Sequence, residues 1–215
     1  MSNLFMHYAF DRWMEREFPR NPWVRYADDG ICHCRTKEEA ENILQALTER
    51  MLSCKLEIHP EKSRIVYCRS DRFNGRHEHE TFDFLGYTFR RRLTKSKTGK
   101  FFNGFTPAAS KSAGQKFRDS IRRVRKENKL LSLETMAETM NPIIRGWSNY
   151  FSAFCASEAR KSLDYVNLTL VRYIRLKFKT VKRSQAKAFR YLIRIAKAKP
   201  NLFYHWQMGI RPTSG

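Results

Sequence analysis

The sequence predicts an α+β fold, with a mixed helix-and-strand segment of about 90 residues followed by a nearly all-helical one. Three observations carry this. The hydrophobic spacing switches between period 2 and period 3.6 in the first part and stays helical in the second. Capping residues stand where the helical periodicities begin. The charge is also unevenly placed. The 215 residues hold 42 Lys+Arg against 21 Asp+Glu, net +21, yet residues 1–105 contribute only +4 and residues 106–215 contribute +17. With 41% hydrophobic and 13% aromatic residues the composition is that of a packed protein. A strongly basic half beside a near-neutral half points to a polyanion-binding unit joined to something else.

The opening "SNLFMHYAFDRWMEREF" reads as a helix capped by Ser2 or Asn3, with Leu4, Phe5, Tyr8, Ala9 and Trp13 on one face. Pro19 and Pro22 end it. "WVRYA" and "GICHC" read as short strands joined by "DDG", whose composition suits a hairpin turn. "TKEEAENILQALTERML" carries a capping box, Thr36 to Glu39, and a stripe of Ala40, Ile43, Leu44, Leu47 and Met51. "HPEKS" is a turn, "RIVYC" a strand, and "TFDFLGYTFRR" a strand bent at Gly86. The order is therefore α-β-β-α-β-β.

"RRLTKSKTGKFFNG" reads as a basic loop and marks the boundary. The division expected is residues 1–92, a linker at 93–109, and a helical unit at 110–215. In that unit residues 112–127 place Ala113, Phe117, Ile121 and Val124 on one face and Arg118, Arg122 and Arg125 on another. Ser132 caps a short helix interrupted by Pro142. Ser157 caps a long helix through Leu163, Val166, Leu170 and Ile174, and Ser184 caps a last one. On that last helix Lys187, Arg190, Arg194 and Lys197 recur opposite Phe189, Leu192, Ile193 and Ala196. No acidic partners are interleaved, so the stripe suits phosphate contacts better than internal ion pairing. The aromatics of "GWSNYF" stand at helical spacing, which assigns Trp147, Tyr150 and Phe151 mainly to core, Trp147 being the exception only if it faces the basic side.

Five irregularly spaced cysteines point to free thiols in a reducing compartment. A zinc reading of Cys32, His33 and Cys34, with Cys54, Cys68, His77 or His79, lacks any paired Cys-x-x-Cys spacing. Two strand residues of one parity that pack as small hydrophobes explain Cys32 and Cys34 better. No long apolar run or leader sequence suggests a membrane, and a cytoplasmic or organellar location is expected.

Asp28 and Asp29, side by side at a bend, ask for a reason because adjacent carboxylates repel. As a bare string, "YADD" fits a polar turn as well as it fits a metal site. It is followed in order by a capped helix, "LEIHPEKSRIV" and "FDFLGYTF", and this succession resembles the later palm motifs of reverse transcriptases. "TPAASKSAGQKFRDSIRRV", "LSLETMAETMNPIIRGWSNYF" and "RIAKAKPNLFYHWQMGIRP" are similar to the thumb, or maturase-specific domain, of group II intron reverse transcriptase/maturases and to their C-terminal ending. The resemblance covers essentially the whole chain. It implies the second half of a palm followed by a helical thumb/maturase domain.

The resemblance further implies RNA-directed DNA synthesis on an RNA template with a DNA primer, using dNTPs and Mg²⁺. Nucleotidyl transfer uses two Mg²⁺ about 4 Å apart, held by rigid carboxylates. Asp28 and Asp29 match the family's metal-binding aspartates, and Tyr26 and Ala27 the residues beside the incoming nucleotide. Phe84, Leu85 and Gly86 match the primer-grip region, with sheet core an equal reading for Leu85. Lys62, in the motif before it, is expected as a phosphate contact. Arg118, Arg122, Arg125, Lys187, Arg190, Arg194 and Lys197 are the expected RNA-binding residues, with group II intron RNA as partner. No motif here matches the family's first metal-binding aspartate or its fingers. The chain alone is therefore expected to hold an incomplete site, completed if at all by a partner chain. A splicing cofactor that only binds RNA, or a degenerate fragment, is the alternative. No endonuclease motif follows Trp206, so cleavage of target DNA is not expected.

Overall fold

The structure is a computed structural model that describes residues 2–69, 77–96, 98–128 and 131–213. The chain divides into two compact units, Met1–Phe82 and Asp83–Gly215, each with its own core.

In the first unit, α1 (Ser2–Met6) runs through a π-helical turn (His7–Asp11) into α2 (Arg12–Glu17). The helix already includes Ser2 and Asn3, so neither is its cap. It stops at Glu17, two residues before Pro19, whose ring disfavours helical backbone in the residue ahead. β1 (Trp23–Tyr26) and β2 (Asp29–Cys32) pair antiparallel, with Trp23 opposite Cys32 and Tyr26 opposite Asp29. The turn is thus Ala27–Asp28, one step earlier than the expected Asp-Asp-Gly, because Asp29 and Gly30 already pair in β2. α3 (Lys37–Ser53) begins at Thr36, whose hydroxyl accepts from the Glu39 N–H at 3.1 Å. Glu39 reaches back to the Arg35 N–H and to the Asn21 amide, one residue beyond the usual capping-box partner.

Ala9, Phe10, Trp13, Met14, Ile43 and Met51 form this unit's core, and Cys32 and Cys34 pack against it as small hydrophobes. Burial, with Cys34 beside it, pushes the Cys32 thiol up to about 12. Leu4, Phe5 and Tyr8, expected on the same face as Ala9 and Trp13, are instead exposed. Residues 64–68 form no strand. Their cross-segment backbone bond among the described residues is the Tyr67 N–H to the His79 carbonyl at 2.8 Å, and the Tyr67 carbonyl accepts from the Arg69 N–H at 3.1 Å.

β3 (Phe82–Phe84), β4 (Tyr87–Lys95) and β5 (Phe101–Ala109) form a sheet in that order. The stretch expected as a linker loop at 93–109 is therefore largely strand, apart from residue 97, which lies outside the described residues. β4 and β5 pair along their whole length from Tyr87–Ala109 to Lys95–Phe101. The Gly-containing segment read as a linker is the tip of this ribbon, and the cross-strand ladder overrode its basic, loop-like composition.

The helices α4 (Lys111–Glu127), α5 (Leu133–Phe151), α6 (Ala156–Lys177), α7 (Gln185–Ala198) and α8 (Tyr204–Gln207) complete the second unit. Ser110, Ser132 and Ser184 each cap the helix that follows through a hydroxyl–N–H bond. Ser157 does not; α6 begins one residue before it, after Cys155. Pro142 does not interrupt α5. Its ring lies on the exposed side, where water can satisfy the freed carbonyl of Glu138, while Met140 and Ile144 beside it are fully buried. Leu163, Val166, Leu170 and Ile174 of α6 line the core, as their spacing predicts. Asn167 lies buried among them. Its carbonyl accepts from Trp206 Nε1 at 2.8 Å and faces His205 Nε2 at 2.9 Å, and its amide donates to the Ile210 carbonyl, which fastens the C-terminal segment.

Candidate functional site

The two aspartates stand where a two-residue turn joins β1 to β2. Asp28 occupies the turn, and Asp29 opens β2 opposite Tyr26. Tyr26, Asp28 and Asp29 are all exposed. Among the described residues neither carboxylate takes a hydrogen bond or an ion pair, so all their acceptor sites face solvent.

The turn itself is tightly held. Ala27 adopts φ +54°, a left-handed conformation that an alanine enters only under constraint. Arg25 supplies that constraint. One guanidinium nitrogen donates to the Ala27 carbonyl at 2.6 Å, while Nε and the other nitrogen grip both oxygens of Asp11 at 2.6 and 2.7 Å. Both partners are largely shielded, with side chains 11% and 15% exposed. The bond from Arg25 outweighs burial and holds the Asp11 carboxyl below its usual range. Asp11 comes from the π-helical turn, whose extra residue per turn sets its carboxylate toward β1. Asp11 and Arg25 are residues that sequence reasoning missed. Arg25 directly precedes Tyr26, and Asp11 lies on the entry helix, where no motif marks it.

Two exposed oxygen-donor carboxylates fit Mg²⁺, which binds through one or two carboxylates and otherwise keeps water or phosphate oxygens. Among the described residues no group of three or more His, Cys, Asp or Glu side chains is placed to hold a metal. That applies to the Cys32–His33–Cys34 stretch as well. Lys62, in the same unit, is exposed.

Phe84, Leu85 and Gly86 belong to the second unit. Leu85 and Gly86 form the turn between β3 and β4, with φ of +50° and +79°. Positive φ at both central residues matches the twist of a tight hairpin, and only the glycine takes it without strain. The Tyr150 hydroxyl donates to the Leu85 carbonyl at 2.9 Å, the Ser110 N–H donates to the Gly86 carbonyl at 2.9 Å, and the Tyr87 hydroxyl donates to the Tyr150 carbonyl. A Cβ on Gly86 would stand 3.3 Å from the Phe151 ring. The close approach that this glycine permits is thus to α5. The described turn is bolted to the helical core through Tyr87, Tyr150 and Phe151.

The seven basic residues separate into two kinds. Lys187, Arg190, Arg194 and Lys197 are all exposed along α7, and none pairs with an acidic side chain among the described residues. Arg118, Arg122 and Arg125 are half-buried. Arg118 donates to Gln115, Arg122 donates to the Tyr165 hydroxyl at 2.5 Å and to Asp119 at 2.8 Å, and Arg125 Nε is buried with no partner among the described residues. Burial raises the Tyr165 phenol, but the bonds from Arg122 and Thr169 and the charges of Arg122 and Arg172 outweigh it and lower the group overall. Trp147 and Phe151 are core, Trp147 stacked with Phe117 and tilted against Phe151, whereas Tyr150 is exposed.

The family model described as Reverse transcriptase (RNA-dependent DNA polymerase) matches residues 1–89. The model described as Group II intron, maturase-specific domain matches residues 114–192. No curated protein matches the chain. Among the described residues no helix is long and apolar enough to cross a membrane.

Proposed function

Because the chain joins a reverse transcriptase domain to a group II intron maturase-specific domain, it belongs to the group II intron reverse transcriptase/maturases, and we propose that it binds RNA through its helical unit and carries in Asp28 and Asp29 part of a polymerase metal site. The observation that carries the RNA reading is the face of α7. Lys187, Arg190, Arg194 and Lys197 recur there exposed and uncompensated, in the half of the chain that holds +17 of the +21 net charge. A stripe of one sign has only phosphates or counter-ions to neutralise it. Intron RNA is the partner that the maturase-specific domain suggests.

For the polymerase half, Asp28 and Asp29 would hold Mg²⁺, which when bound supplies charge neutralisation at a transferring phosphate. The chain's own contribution is placement. The Asp11–Arg25 pair sets the Ala27 carbonyl and hence the direction of the turn, and Tyr26 stands on the neighbouring register position. With no third carboxylate among the described residues at this turn, primer extension is expected only where another segment or another chain contributes one.

Titrating the full chain with RNA over a salt series, beside primer extension with Mg²⁺ and dNTPs, tests both halves. The expected outcome is RNA affinity that falls steeply with salt, survives Asp28→Ala/Asp29→Ala, and drops when Arg190 and Arg194 become Glu. Extension that the aspartate changes abolish would show the site completed as well. Affinity indifferent to salt or to α7 would overturn the RNA reading.

A further inference from the structure

The β4–β5 ribbon lies almost wholly outside the two matched regions, which end at residue 89 and resume at 114, and it presents a surface that its own core does not explain. The side chains of Tyr87 and Phe89, at its base, pack into the helical core. Alternation along the strands puts Leu93 and Lys95 on that same face, with Phe101 beside Lys95 across the ladder. Beyond the core this face continues into solvent, with Leu93 68% and Phe101 67% exposed. On the opposite face Phe102 is 44% exposed, its ring laid over Gly104, where a Cβ would stand 3.1 Å from it. Exposed Phe and Leu side chains gathered at the far end of a ribbon, beyond the core, mark an interaction surface.

Charge selects that occupant. No aspartate or glutamate occurs between Asp83 and Asp119, while Arg90, Arg91, Arg92, Lys95 and Lys100 all fall within the ribbon and its turn. The Lys95 ammonium sits 5.8 Å from the centre of the Phe101 ring. A cation already poised beside an exposed aromatic face is the pairing that single-stranded nucleic acid uses, with bases stacked on the ring and phosphate met by the ammonium.

We infer that the outer half of the β4–β5 ribbon is a second RNA contact, where unpaired bases stack on Phe101 beside Leu93 of the same face, and the backbone phosphates meet Lys95 and Lys100. The inference rests on the RNA-binding reading of the helical unit and adds to it a stacking site that discriminates single strands from duplex.

The test is a titration of the full chain with a labelled, unstructured RNA oligonucleotide and with the same sequence as a duplex. Phe101→Ala should weaken single-strand binding about tenfold and leave duplex binding unchanged, because a stacked base is worth roughly 1–3 kcal/mol. The slope of log affinity against log salt should not move, since no charge is lost. Lys95→Gln should instead reduce that slope by about 0.7, and Phe101→Trp should restore affinity. Phe101 is exposed, so the variants should keep the wild-type circular dichroism. Unchanged single-strand affinity in Phe101→Ala, with RNA binding by the wild type intact, would overturn the stacking site and leave the α7 reading standing. So would a Phe101→Ala loss confined to binding of vesicles rich in phosphatidylserine. A wild type that binds no RNA would overturn both.

Discussion

Single side chains show how one contact sets the state of its neighbours. Among the described residues Asp28 and Asp29 have no partner, whereas the neighbouring Arg25 is fully engaged. The guanidinium that could have neutralised them is spent on Asp11 and on the Ala27 carbonyl, which leaves two bare carboxylates on a fixed turn. His205 shows the opposite economy. It is fully buried, faces the Asn167 carbonyl, and burial drives its pKa down to about 3. The unfolded chain takes up a proton at this residue below about pH 6.5, whereas the folded chain resists until about 3. The folded state therefore binds fewer protons in that window, and stability falls as pH drops through it, by up to about 1.4 kcal/mol per pH unit. Denaturant midpoints measured at pH 7 and pH 5 should show this loss. The loss should largely vanish in His205→Gln, which keeps a neutral donor toward Asn167; an equal pH dependence in the variant would show that another group is responsible.

Among the elements, the turn at Leu85–Gly86 shows how a short motif depends on a distant helix. Its two carbonyls are taken by Tyr150 and Ser110, and its glycine backs onto Phe151. Gly86→Ala would force a Cβ into a backbone at φ +79° and against that ring. We expect a loss of about 2 kcal/mol in unfolding free energy. Gly209 has the same φ with open space around it, so Gly209→Ala should cost less. Equal costs at the two positions would mean that backbone conformation alone, and not packing on α5, decides. The helices were the most legible elements. Thr36, Ser132 and Ser184 cap where their sequence signatures predict, and α6 buries the residues its spacing names. Pro142 was misread as a break because local propensity cannot see that the ring would face solvent while both neighbouring turns are locked in the core.

In the molecule as a whole, the chain is built of two units with separate cores of very different size. Among the described residues six buried side chains form the one in Met1–Phe82, whereas the second unit buries an extended cluster from Tyr87 to Ile210. Units with separate cores unfold separately when little else couples them. Calorimetry should therefore resolve two transitions, and Asp28→Ala/Asp29→Ala should move neither. A single transition with matching calorimetric and van't Hoff enthalpies would refute this. The sequence by itself determined the α+β class, the helical second half, the uneven charge and the motifs that place the chain in its family. Those features live in spacing and composition, which a linear string records completely. Only the tertiary structure decided that residues 93–109 are largely a ribbon and that Arg118, Arg122 and Arg125 are half-buried on α4, with Arg122 held by Tyr165 of α6. It also decided that Asp11 grips Arg25 and that Tyr150 holds Leu85. Each of these joins residues far apart in the chain, or sets a side chain's exposure by what packs beside it, and no local pattern encodes such a partner.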